Sequence, residues 1–145
     1  MRLRETLTIA ALLLAGCAAT PRSPAPEADA QARLFKPVAE RAVIYILRDR
    51  GDFFTGPVRL TVDGKEVGET VANTYLRVET EPGTKLIVSQ TNPPATLELK
   101  TLAGGLYYVW QDITAERLRE HSALRVVDRN TARQVLTTAT IVTAK

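Results

Sequence analysis

Val58-Arg59-Leu60-Thr61-Val62-Asp63-Gly64-Lys65-Glu66-Val67-Gly68-Glu69 decides the fold. Val58, Leu60 and Val62 alternate with polar residues, the period of a strand with one buried face. Asp63-Gly64 then interrupts two extended runs. That pair suits a type I′ hairpin turn, which needs positive φ at both central residues. The stretch predicts a β-hairpin, and the flanking sequence repeats the pattern.

Upstream, Ala42-Val43-Ile44-Tyr45-Ile46-Leu47 is apolar throughout and rich in β-branched residues. It reads as a central strand covered on both faces. Arg48-Asp49-Arg50-Gly51-Asp52 reads as its end. Downstream, Tyr75-Leu76-Arg77-Val78-Glu79-Thr80 alternates with Leu76 and Val78 inward. Pro82-Gly83 makes a turn, with proline presetting φ and glycine taking the positive-φ position. Residues 84–89 form another strand, and Asn92-Pro93-Pro94 breaks it. Thr96-Leu97-Glu98-Leu99-Lys100 is half-buried, and Gly104-Gly105 turns into the β-prone Leu106-Tyr107-Tyr108-Val109-Trp110.

The last third is mixed. Residues 114–120 fit a short helix capped by Thr114, or a polar loop. Ala123-Leu124-Arg125-Val126-Val127 reads as a strand. Asp128 caps a predicted helix over residues 129–136, while the threonines of 137–140 leave a strand as the alternative. The fold class expected is mainly β: a compact antiparallel β-sandwich of about seven short strands, with one C-terminal helix. No helical pattern of ten residues separates the strands, which argues against a parallel α/β fold.

The N-terminal region reads differently. Met1-Arg2-Leu3-Arg4 is basic, and Leu7, Ile9, Leu12, Leu13 and Leu14 supply an apolar run ending in small residues. This matches a secretory signal peptide. A transmembrane helix needs roughly 20 apolar residues, and this run is shorter. Leu14-Ala15-Gly16-Cys17 resembles the lipobox of bacterial lipoproteins. The resemblance implies cleavage between Gly16 and Cys17 and acylation of Cys17, the only cysteine. A lone cysteine forms no internal disulfide. Two or more acyl chains hold a protein stably at a membrane, whereas one holds it reversibly. By the same resemblance, Ala18 in place of an aspartate implies the outer membrane facing the periplasm, with the inner membrane as the alternative.

Pro21, Pro24 and Pro26 then mark an extended spacer. The expected organisation is a signal peptide over 1–16, a lipidated cysteine and flexible Pro/Ala-rich tether over 17–41, and one domain over 42–145. Residues 27–35 tolerate a helical turn or two. Losing residues 1–16 removes Arg2, Arg4 and Glu5 and takes the formal charge from +3 to +2. So small an excess gives no electrostatic reason to expect a nucleic-acid partner.

From residue 42 to 110 the order of motifs is similar to the DUF2846 family of bacterial lipoprotein-like domains, and also to PEGA-type small β-modules. The residues that carry the likeness are Ala42 through Arg48, Val62-Asp63-Gly64-Lys65, Asn73-Thr74-Tyr75, Glu81-Pro82-Gly83 and Gly104-Gly105-Leu106-Tyr107-Tyr108-Val109. Asn73 stands where glycine is common, and Ile46 where an aromatic is. The resemblance implies a small β-sandwich and brings no established activity with it.

Candidate chemistry is sparse. His121 is the only histidine, and a metal site needs several converging ligands. Ser89 and Ser122 lack the context of a catalytic nucleophile. No cofactor is expected. The candidate binding residues are aromatic: Phe53 and Phe54 in a turn-rich loop, and Tyr107 and Trp110 on one strand. Tyr108 and Trp110 share a face, and Tyr107 takes the other. The expected function is a membrane-anchored, non-catalytic binding or assembly module of the cell envelope, with an envelope protein or glycan as partner. The alternative is a small hydrolase, or a hydrolase inhibitor, with a site near His121.

Overall fold

The structure, a computed structural model, describes residues 26–50, 56–116 and 119–142. Two helices and nine strands follow in order: α1 (Pro26–Ala32), β1 (Ala42–Arg48), β2 (Val58–Val62), β3 (Lys65–Thr70), β4 (Thr74–Thr80), β5 (Gly83–Ser89), β6 (Ala95–Thr101), β7 (Leu106–Glu116), β8 (Arg119–Val127), α2 (Arg129–Leu136) and β9 (Thr140–Ile141). The protein is mainly β, with a five-stranded sheet ordered β8-β7-β1-β4-β9 and a four-stranded sheet ordered β3-β2-β5-β6.

The quoted hairpin forms as expected. Asp63 and Gly64 take φ of 51° and 77°, so both central turn residues have positive φ. Val62 pairs with Lys65, and a bulge at Leu60/Thr61 leaves Val67 as the extra residue of β3. Asn73 has φ 61°, the left-handed conformation that glycine and asparagine adopt most readily.

β1 is buried along its whole length. Its alternate side chains serve two different cores. Ile44 and Ile46 pack with Leu76, Val109, Leu60 and Ile87, so the two sheets share this core. Val43, Tyr45 and Leu47 face the other way and pack with Tyr75, Tyr108, Ala132 and Leu136. The helices cover that second face.

Two expectations are corrected. The five-stranded sheet is mixed, because β1 pairs with β7 in parallel and β4 pairs with β9 in parallel. Residues 114–116 and 119–120 belong to the β7–β8 hairpin, where Thr114 pairs with His121, and there is no helix around Thr114. Thr114 and Ile113 are β-branched and extend a pairing already begun at Tyr108. The helix over residues 129–136 is present. The Asp128 carboxylate accepts from the backbone N–H groups of Asn130 and Thr131 at 2.8 and 3.0 Å, closing its N-terminus. Thr140 and Ile141 then add the short edge strand.

The tether expected over residues 17–41 is also shorter at its distal end, because residues 26–41 lie against the domain. Pro26 starts α1, where a missing N–H costs nothing. A helix of seven residues is marginal alone, and side chains of the sheet hold this one. Tyr45 Oη donates to the Ala32 carbonyl at 2.7 Å, and Tyr75 Oη donates to Asp29 Oδ1 at 2.7 Å. Arg33 donates to Asp29, to the Leu136 carbonyl and to the Ala139 carbonyl. Phe35 then packs on Tyr45 with ring centroids 5.4 Å apart.

This docking is sensitive to acid. Burial opposes the charge on Asp29, but hydrogen bonds from Arg33 and Tyr75 outweigh it and hold the carboxyl below its ordinary pKa of 3.8. A lowered folded-state pKa stabilises the folded protein above the ordinary value, and that contribution is lost as pH falls through the folded one. Amide exchange at Arg33 and Leu34 is therefore expected to speed up relative to β1 as pH drops below about 4. Asp29→Asn should remove that pH dependence. Exchange whose acid response is the same in both proteins would contradict the assignment.

Candidate functional site

The β7–β8 hairpin presents aromatic and charged groups together on one face. Opposite residues of an antiparallel pair share a face. Tyr108, Trp110, Asp112 and Thr114 therefore lie beside Val127, Arg125, Ala123 and His121 on the helix side of the sheet. Tyr107, Val109, Gln111 and Ile113 face the four-stranded sheet.

The Tyr108 end of the first face is covered. Its ring stacks on Tyr45, with centroids 5.5 Å apart and planes 24° apart. Two residues on, cover gives way to solvent. Trp110 is half-buried, and the Arg125 guanidinium carbon lies 4.8 Å from the indole centroid. Arg125 Nε also pairs with Asp112 Oδ2 at 3.2 Å, and both side chains are exposed. This arrangement is a cation–π stack locked by a surface ion pair. The Trp110 Nε1 atom is buried and has no hydrogen-bond partner among the described residues. Buried indole N–H groups usually find an acceptor. Toward the start of β7 the hairpin also borders an open groove of about 450 Å³, rimmed by Pro37, Val126 and Arg129.

Tyr107 and Trp110 point to opposite sides of β7 and do not form one surface. Tyr107 has a packing role: its hydroxyl accepts the Leu102 N–H at 2.8 Å. A Cβ on Gly105 would come within 2.5 Å of its ring. Phe53 and Phe54 lie outside the described residues, as do Leu14, Ala15, Gly16 and Cys17. Arg125 and Asp112 were not singled out by sequence. Their signal is hairpin register, which a helix or loop over residues 114–120 erases.

The serines do meet, but without the histidine. Ser122 Oγ donates to Ser89 Oγ at 2.7 Å, and Gln111 Nε2 donates to Ser89 Oγ at 2.8 Å. Thr70 Oγ1 donates to Gln111 Oε1 at 2.5 Å. Arg48, fully buried, donates to the Thr70 and Gly56 carbonyls at 3.0 Å each. This polar chain crosses between the two sheets. His121 is the neighbour of Ser122 along β8 and so takes the opposite face. Among the described residues, no group of three or more His, Cys, Asp or Glu side chains could hold a metal ion. No described helix is long and apolar enough to cross a membrane.

The fold and this surface define a mainly β domain of two sheets with a helical cover on one of them. No family model, curated protein or solved structure matches the chain.

Proposed function

We propose that this protein is a lipid-anchored, periplasm-facing lipoprotein whose β-sandwich domain is a non-catalytic binding or assembly module of the bacterial envelope. Cys17 is its anchor, and the outer membrane is its address. Membership of the DUF2846 family is part of this proposal. The partner is an envelope protein or glycan.

The observation that supports the binding role is the Trp110 platform. Arg125 stacks on the half-buried indole, whose buried Nε1–H has no acceptor among the described residues. A partly exposed aromatic beside an exposed Arg and Asp suits a partner that brings an apolar face flanked by polar groups. The polar chain of Ser89, Ser122 and Gln111 does not support the alternative hydrolase, because it turns away from His121.

The test uses the full chain in cells, with a photo-crosslinking residue at Ala123, which is exposed and on the platform face. One dominant adduct in the membrane fraction is expected. Trp110→Ala should reduce it roughly tenfold, as removal of a central aromatic anchor does, and Cys17→Ser should move the protein out of that fraction. A soluble, unlipidated protein, or the absence of any adduct, would overturn the reading.

A further inference from the structure

The helical layer ends in an exposed apolar residue ringed by cations. Leu34 lies two residues past the end of α1 and is 51% exposed. It borders an open groove of about 450 Å³ with Arg33, Phe35, Arg133 and Leu136. The Arg133 guanidinium carbon lies 5.3 Å from the Phe35 ring centroid, and Lys36 is exposed two residues beyond Leu34. The acidic side chain nearest along α1, Asp29, is already paired with Arg33 at 2.7 Å.

A single exposed leucine is ordinary on a protein surface. Its position in the chain makes this one informative. Eight residues, 18–25, separate Cys17 from Pro26. Eight residues span at most about 29 Å when fully extended. The seven residues of α1 add only about 10 Å. A chain anchored at Cys17 therefore enters the domain within about 29 Å of its anchor, near enough for the segment after α1 to reach the bilayer, and Leu34 lies two residues past the end of that helix. The Arg33 bonds to Leu136 and Ala139 fix this patch at the C-terminal end of α2, beside β9. β9 and β8 are opposite edges of the same sheet, four strand spacings or about 19 Å apart.

We propose that the Leu34, Lys36 and Arg133 patch seats on an anionic phospholipid surface. The leucine enters the acyl boundary, and the two cations meet lipid phosphates. The β9 edge then faces the bilayer, and the β8 edge, beside Trp110 on β7, faces away. This inference rests on the anchored reading, because it takes the short connection to Cys17 as its constraint.

The full-length protein, purified from membranes, is placed in vesicles containing phosphatidylglycerol. Mass spectrometry of the Cys17 peptide comes first. With Cys17 acylated, Leu34→Cys and, in a second protein, Ala123→Cys each supply one reactive thiol for a spin label. The label at position 34 is expected to gain exposure to oxygen and lose exposure to a water-soluble nickel chelate, while the label at 123 keeps its aqueous exposure. Lys36→Glu with Arg133→Glu should cut the effect at position 34 roughly tenfold. An unmodified Cys17 peptide overturns the anchored reading and this inference together. An acylated protein whose position-34 label remains in water overturns the inference alone. Burial of that label only after envelope proteins are added would assign the patch to a protein partner and overturn it equally.

Discussion

Arg48→Met is expected to lower folding stability by about 3 kcal/mol, because a buried and a partly buried carbonyl lose their donor at once. Those carbonyls belong to Gly56 and Thr70, each 3.0 Å from Arg48 Nη1. Methionine fills much of the arginine volume, so the loss reads out the polar bonds more than a cavity. Arg48 holds the end of β1 to β3 across the sheets. Thr70 then passes the network to Gln111 and Ser89. A drop in the thermal midpoint on the order of 12 °C is expected for a domain of this size. An unchanged midpoint in heat and in urea would show that Arg48 does not make these bonds in solution.

Tyr45→Ala should cost more, about 4 kcal/mol, as removal of a large buried aromatic does. Tyr45 is fully buried on β1 and contacts three other rings, those of Phe35, Tyr75 and Tyr108. Its hydroxyl also holds the last turn of α1 through the Ala32 carbonyl. Tyr45→Phe separates the two roles. It keeps the ring packing and loses the hydroxyl's hydrogen bonds to the Ala32 carbonyl and to Arg77, each worth about 1 kcal/mol. Amide exchange should then quicken in residues 30–35 more than in β1. Equal protection of α1 in both proteins would show that ring packing alone docks the segment.

Much of this was legible in sequence because it was local. The unbroken run from Ala42 to Leu47 announced a strand with two covered faces, and the structure gives each face its own core. Asp63-Gly64 and Asn73 specified positive φ by their chemistry. Asp128 announced the start of α2. Arg48 was read only as the end of the strand, where β1 does stop; its burial was not legible, because a charge after an apolar run usually meets water. It has the parity of Ile44 and Ile46, so it points between the sheets, where carbonyls receive it. The parallel pairing of β1 with β7 was not legible. Nothing in either strand names a partner some sixty residues away. The docking of residues 26–41 was hidden for the same reason. Ala32 and Phe35 look incidental until Tyr45, Tyr75 and Tyr108 form the surface they cover. In the candidate site, Trp110 was visible as an aromatic on a strand. Arg125 and Asp112 became meaningful only through the β7–β8 register.

The bonds from Arg33 to Leu136 and Ala139 join the two ends of the domain. They bear on the order in which the molecule assembles. A chain delivered from its N-terminus exposes Tyr45 long before β7, α2 and β9 arrive to cover it. Pairings of such long sequence separation place the domain among slower folders, in the millisecond-to-second range. Until β7, α2 and β9 emerge, the growing chain carries an uncovered tyrosine face and a central strand paired on one side alone. Those are the surfaces on which a holding chaperone would act.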